Sequence, residues 1–244
     1  MEKMLQAMMK RFPWFIGMGV MIVMIAVIIG AVTAANAAGY FAVDKVTRDA
    51  SVELAQVRAG IESTLVWLPY FKFLGVAMIL GGIIMALGVI SLRLQDLGKK
   101  VMASVPENAR VPIPPKPASV YLMRMFMMVG MLIIVVGFII SLGVAGTASA
   151  VYSIPVVDID AAATGSTLLA DLASVHAAEA WLEAFKFVGV ASLFLGIIYG
   201  LASIVFALRY QKTAIPQVVD QLPVPATDTK APTTKATIAA RAAS

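Results

Sequence analysis

The chain has 244 residues, 60% of them hydrophobic and 14% charged, with a mean hydropathy of +0.90, a net charge of +5 and no cysteine. A soluble domain of this size needs far more polar surface, so the composition places the chain among integral membrane proteins. The missing cysteines exclude disulfides, thiolate metal sites and a catalytic thiol, and a lone histidine, His176, is too few for a haem pair or an imidazole metal cluster.

The first element is an apolar run over residues 12–35, preceded by Lys3, Lys10 and Arg11. It exceeds the roughly 20 residues needed to cross about 30 Å of hydrocarbon. Its basic start and the Ala35-Asn36-Ala37 string resemble a cleaved secretory signal. The apolar stretch is longer than a signal core, however, and a similar string (Ala148-Ser149-Ala150) follows the third run where no signal can lie, so the segment is expected to be retained.

Next comes a connection in which Ala50, Leu54, Val57, Ile61 and Leu65 recur at helical spacing, predicting an amphipathic helix over about residues 47–64. It leads into a second span, 67–92. The segment RLQDLGKKVM extends that helix up to Pro106, and VPIPPKPAS is a proline-rich linker, placed overall at 101–118. A third span occupies 121–144. After it, Thr164-Gly165-Ser166 starts a second outer helix, 166–180, carrying Leu168, Leu172 and Val175 on one face. The fourth span covers 181–208, and the Ala-, Thr- and Pro-rich segment 216–244 has the composition of a disordered tail. Each span must be helical, because lipid offers no partner for unpaired backbone groups. The predicted fold is all-α, with four transmembrane helices.

Charge placement predicts topology. Fourteen of the 19 basic residues lie before the first span, in the connection between the second and third or at its flanks, or after the fourth. Nine of the 14 acidic residues lie in the other two connections or at their span entrances. The positive-inside rule then puts both termini and the middle connection in the cytoplasm of a cell's inner membrane, with 36–66 and 145–180 outside. The basic balance reflects orientation, and no nucleic-acid partner is expected.

Residues 67–90 match residues 181–204 at 13 of 24 positions, including Trp67/Trp181, Phe71/Phe185, Lys72/Lys186, Phe73/Phe187, Gly75/Gly189 and Gly82/Gly196. Apolar composition alone does not pair tryptophan, lysine and glycine. The chain therefore reads as two helix–connection–helix units, 1–100 and 119–215. Because each crosses twice, the two have the same orientation, which is a parallel repeat.

Small residues recur one turn apart on the spans, among them Ala77 with Gly81, Gly82 with Ala86, and Ser192, Gly196 and Gly200. Such rows let membrane helices approach closely. Gly81, Gly82, Gly196 and Gly200 are candidate contacts, either internal or with another subunit. Methionines crowd the cytoplasmic ends of spans one and three (Met18, Met21, Met24; Met123, Met125, Met127, Met128, Met131). Thioethers bind Cu(I), but without cysteine or a nearby histidine they read as packing groups. His176 reads as a surface side chain, and Asp158 with Asp160 lacks the glycine-centred loop of a calcium site.

Lys72 and Lys186 each follow a tryptophan by five residues, about 7.5 Å along a helix. Trp67 and Trp181 favour the headgroup level, which puts both ammonium groups just below it, within reach by snorkelling. The copies differ: Glu183 precedes Lys186 by three residues, whereas Pro69 stands at the matching position before Lys72. Lys72 is therefore the lysine expected to meet a lipid headgroup, an anion or another subunit.

No nucleophile elbow, phosphate loop, dinucleotide fingerprint or metalloprotease helix is present, so neither catalysis nor a cofactor or metal is expected. Stretches such as MIVMIAVIIG and MLIIVVGFII place no ionisable group at mid-membrane, where a transporter usually carries one. The expected function is a non-catalytic accessory subunit of a larger membrane complex, in contact with lipid and either other integral membrane subunits or its own copies. The alternative is a small transporter or anion-selective channel built from the two repeats, with Lys72 and Lys186 at its outer mouth.

Overall fold

The structure is a computed structural model that describes residues 11–103, 107 and 117–221. Within that range it is helical and contains no strand. Six helices follow in order: α1 (Phe12–Phe41), α2 (Lys45–Ala50), α3 (Val52–Ala103), α4 (Ala118–Tyr152), α5 (Val156–Asp160) and α6 (Thr167–Gln221). Four of them, α1, α3, α4 and α6, are long and apolar enough to cross a membrane.

α3 and α6 are much longer than a bilayer needs. At 1.5 Å per residue, the 52 residues of α3 extend about 78 Å, more than twice the hydrocarbon thickness. From Val52 and Thr167 onward the expected helices at 47–64 and 166–180 are therefore continuous with the spanning helices, while residues 47–50 fall in α2. The starts of α3 and α6 are capped alike. Ser51 Oγ accepts the Leu54 N–H at 3.2 Å, and Ser166 Oγ accepts the Leu169 N–H at 3.4 Å. Before the second cap, Gly165 takes a left-handed φ of +83°, which a side chain would resist.

α3 continues through Pro69. α6 likewise continues through Pro216 to Gln221, so 216–221 is helical and not part of a disordered tail as its composition suggested. The remainder of the tail, 222–244, and most of the proline-rich linker lie outside the described residues.

α1 packs mainly on α3, α4 packs on both α3 and α6, and α3 and α6 touch each other. The α1–α3 pair crosses at Gly19 and Gly75. A Cβ built on Gly19 would stand 2.6 Å from the Gly75 carbonyl oxygen, and one on Gly75 would stand 2.8 Å from the Gly19 oxygen. In the α4–α6 pair, a Cβ on Gly130 would stand 2.8 Å from the Gly189 oxygen. Gly82 faces the Phe12 oxygen and Ile16 nitrogen at 3.2 and 3.3 Å; Gly196 faces the Met123 oxygen and Met127 nitrogen at 3.4 and 3.5 Å. Glycine at these crossings brings backbones together, which replaces the hydrophobic force that lipid does not supply.

The junction of α3, α4 and α6 is filled by Ala77, Ile84, Met123, Ile134 and Leu193, all at most 2% exposed. Met127 and Met131 pack against this cluster, while Met18, Met21, Met24 and Met128 face outward. A second cluster, at the end of the bundle that the charge pattern assigns to the outside, joins Ala59, Val66, Ala145, Ala148, Tyr152 and Val175. Of the polar side chains buried in the spans, Thr33, Ser141, Ser192 and Ser203 donate to carbonyls three or four residues back, and Ser91 lies 3.3 Å from the Ser203 hydroxyl; Arg124 Nε is buried without a hydrogen-bond partner among the described residues.

α2 folds back on the outer end of α1. The Arg48 guanidinium lies 5.2 Å from the Tyr40 ring centre and 5.1 Å from that of Phe41. Asp49 accepts a hydrogen bond from Lys45 Nζ and has Arg48 Nε 3.8 Å away. The Lys45 hydrogen bond above all, and then the charges of Lys45, Arg48 and Arg58, hold the Asp49 carboxyl below its ordinary 3.8. A depressed carboxyl stabilises the fold above the ordinary value and loses that contribution as pH falls through the lowered one. The difference in unfolding midpoint between wild type and Asp49→Asn is thus expected to be full at neutral pH and to close below 3.8, as a pH series of thermal melts in detergent will read.

Candidate functional site

The repeated tryptophan–lysine motif builds similar surroundings and ends in different ones. Trp67 meets Phe71 edge-on with ring centres 5.7 Å apart and an interplanar angle of 67°; Trp181 meets Phe185 at 5.9 Å and 71°. Both pairs come from i, i+4 spacing on a helix. Trp181 is 46% exposed, whereas Trp67 is half-buried against the outer cluster. Between α3 and α6 the matched residues Phe73 and Phe187 face each other, 6.0 Å between ring centres.

Lys186 is fully engaged. Its Nζ lies 3.2 Å from Glu183 Oε1 and 5.4 Å from the centres of both the Phe73 and Phe187 rings, and its side chain is 12% exposed. The two aromatic faces shield the ammonium while the carboxylate neutralises it, so the second copy closes on itself.

Lys72 is exposed and makes no ion pair, hydrogen bond or ring contact among the described residues. It borders a cleft of about 250 Å³ between α1 and α3, lined by Ala26, Val27, Gly30, Leu65, Leu68 and Pro69. A second cavity of about 290 Å³ lies between α3 and α6, lined by Val66, Tyr70, Glu179, Leu182, Glu183 and Lys186 together with the same Leu65 and Pro69. The two cavities thus flank Leu65 and Pro69 of α3, one against α1 and the other against α6.

At the α3–α6 cavity, Tyr70 is 2% exposed and clamps the bundle. Its hydroxyl donates to the Leu182 carbonyl of α6, and its ring fills the space left by Gly137 of α4. A Cβ on Gly137 would fall 2.2 Å from Tyr70 Cε1. Sequence reading gave Tyr70 no role; a lone tyrosine within an apolar run carries no local signal of a partner 112 residues away.

The four glycines named as candidate partner contacts all lie buried within the chain. A Cβ on Gly81 would face Met131 Sδ at 3.6 Å, and Gly82 packs on α1. Gly196 packs on α4 and Ile84, and Gly200 on Leu87 and Met123. These four form internal crossings and are not free faces for another subunit. Gly17, Gly143 and Gly146, by contrast, have open space where a Cβ would stand. His176 is exposed, as expected, but not alone: its Nε2 is 3.1 Å from the Tyr152 hydroxyl, whose ring lies 4.6 Å under the Arg58 guanidinium. Asp158 and Asp160 are exposed, and no cluster of metal-ligating side chains occurs among the described residues.

The chain matches no protein-family model, no curated protein and no solved structure.

Proposed function

We propose that the protein is a non-catalytic accessory subunit of a larger membrane complex, built from two parallel two-helix units. It would lie in a cell's inner membrane with both termini in the cytoplasm. The observation that carries the reading is the uneven covering of the four spanning helices. Only 11% of the most apolar window of α1 is buried, and its outward face presents Trp14, Met21, Met24, Val27, Ile28 and Val32. Gly143 and Gly146 add a small-residue face on α4 open to a neighbouring helix.

Support for two related units comes from the glycine crossings. The residues meeting at Gly130 and Gly189 stand 111 and 114 positions after those meeting at Gly19 and Gly75, and the Gly82 and Gly196 contacts follow the same offsets. A parallel repeat explains both numbers at once.

A conduit between the units is less well supported. The line where two halves would enclose a pore is occupied by the Phe73–Phe187 contact and, further inward, by the Ser203 and Ser91 hydroxyls, 3.3 Å apart. Between these lie the apolar side chains of the central junction. Extraction in mild detergent followed by mass analysis of the intact assembly is expected to find this chain in stoichiometric association with other membrane polypeptides. Recovery of a lone monomer or self-dimer alone overturns the subunit reading.

A further inference from the structure

We infer that the cleft between α1 and α3 is a phospholipid headgroup site, with Lys72 holding the phosphodiester. The inference stands apart from the subunit reading and rests on the α1–α3 cleft.

The first argument is the inequality of the two lysines. Sequence repetition gives both the same depth below a tryptophan, and only Lys186 is neutralised by its own chain. Lys72 leaves a full positive charge at the edge of the membrane with no protein counter-charge among the described residues. An ammonium there is costly unless it reaches water or an anion, and the anion present in every bilayer at that depth is the lipid phosphate.

The second argument is the shape beside it. α1 and α3 run antiparallel, with Gly19 opposite Gly75 and Gly30 opposite Leu68, so Ala26 and Val27 lie at the level of Lys72. The cleft extends from that level outward past Gly30 to Leu65. Lys72 is thus at its inner end, and Leu65 is at the end nearer the headgroup layer. A volume of about 250 Å³ accommodates a phosphate with its glycerol linkage. The acyl chains then continue along the apolar α1–α3 surface below.

The third argument is Pro69. Proline has no N–H, so the Leu65 carbonyl lacks its helical donor, and helix carbonyls point toward the C-terminal end, here toward Pro69 and Lys72. Both residues line the cleft. The site therefore combines a cation for phosphate with an acceptor for a donor on the headgroup. That pairing fits ethanolamine or glycerol headgroups and not choline, whose methylated nitrogen has no N–H.

The test is lipid retention by the purified full-length chain, read by native mass spectrometry after exchange into equal amounts of phosphatidylethanolamine, phosphatidylglycerol and phosphatidylcholine. Wild type is expected to keep one ethanolamine or glycerol lipid. Lys72→Met is expected to reduce that retention about tenfold, the scale of one lost charge-assisted hydrogen bond, while Lys72→Arg and Lys186→Met keep it. Gly30→Leu fills the cleft without touching the lysine, since a Cβ there stands 3.6 Å from Leu68 Cδ2, and is expected to expel the lipid as well. Equal retention by wild type and Lys72→Met overturns the site. So does equal retention of phosphatidylcholine, or undiminished retention in Gly30→Leu. Binding of soluble glycerophosphoglycerol as tight as that of the lipid would make it an anion site, and loss of a co-purifying polypeptide with unchanged lipid would make it a protein contact; either result overturns the inference. Because the subunit reading is tested by associated polypeptides and this one by lipid, the two can fail separately.

Discussion

Gly75→Val is expected to separate α1 from α3, and Gly189→Val to separate α6 from α4. At Gly75 the added side chain meets the Gly19 carbonyl oxygen at 2.8 Å and the side chains of Val23 and Ile22 at 2.9 and 3.0 Å. At Gly189 it meets two methylene and methyl carbons of Ile134 at 2.7 and 2.8 Å. Backbone cannot rotate away as a side chain can, so at Gly75 the helices must move apart and the apolar contacts on either side of the crossing go with them. Overpacking of this kind costs about 1–3 kcal/mol, and a backbone clash falls at the upper end. The control is Gly17→Val, at a position with open space, which is expected to leave stability unchanged. Thermal unfolding in one detergent reads all three. Because the chain has no native cysteine, a Cys pair at Gly30 and Leu68 gives an independent measure of the α1–α3 gap, with disulfide yield falling in Gly75→Val. Equal melting of Gly75→Val and Gly17→Val would show that the crossing is not close-packed.

Tyr70→Ala is expected to be the most damaging truncation. The side chain is 2% exposed, its ring fills the Gly137 notch and its hydroxyl reaches the Leu182 carbonyl, so one residue of α3 holds α4 and α6 together. Removing a buried aromatic ring costs about 3–5 kcal/mol when the site cannot collapse. Collapse is restricted here because the neighbouring helices are already in contact at Gly130–Gly189. Tyr70→Phe keeps the ring and loses only the hydrogen bond, worth about 1 kcal/mol. Gly137→Ala, which keeps Tyr70 but occupies its notch, is expected to fall between the two. Tyr70→Phe as damaging as Tyr70→Ala would place the energy in the hydroxyl and refute the wedge.

The different states of the two lysines were partly legible in the sequence. Glu183 and Lys186 are three residues apart on a helix, and local spacing is enough to predict their pairing, which forms at 3.2 Å. Pro69 at the matching position told equally directly that Lys72 lacks such a partner. The aromatic faces over Lys186 were not legible, because Phe73 comes from another helix. Nor were the two cavities flanking Leu65 and Pro69, one against α1 and the other against α6. The outer helices were legible as helices, the first as one leading into its span; the structure adds that backbone hydrogen bonding continues unbroken where hydropathy changes.

Composition and span length by themselves determined that this is a helical protein with four segments able to cross a membrane, because lipid forbids any unpaired backbone. The repeat of Trp, Lys and Gly in the sequence showed which residues of the two halves correspond. What only the tertiary structure decided is which face of each helix is covered. In water, the apolar face of a helix announces its own burial. In lipid, leucine is as comfortable outside as inside, so a row of glycines marks a close approach without naming the neighbour. Gly81, Gly82, Gly196 and Gly200 turned inward while Gly17, Gly143 and Gly146 turned out, and packing geometry alone separates the two sets.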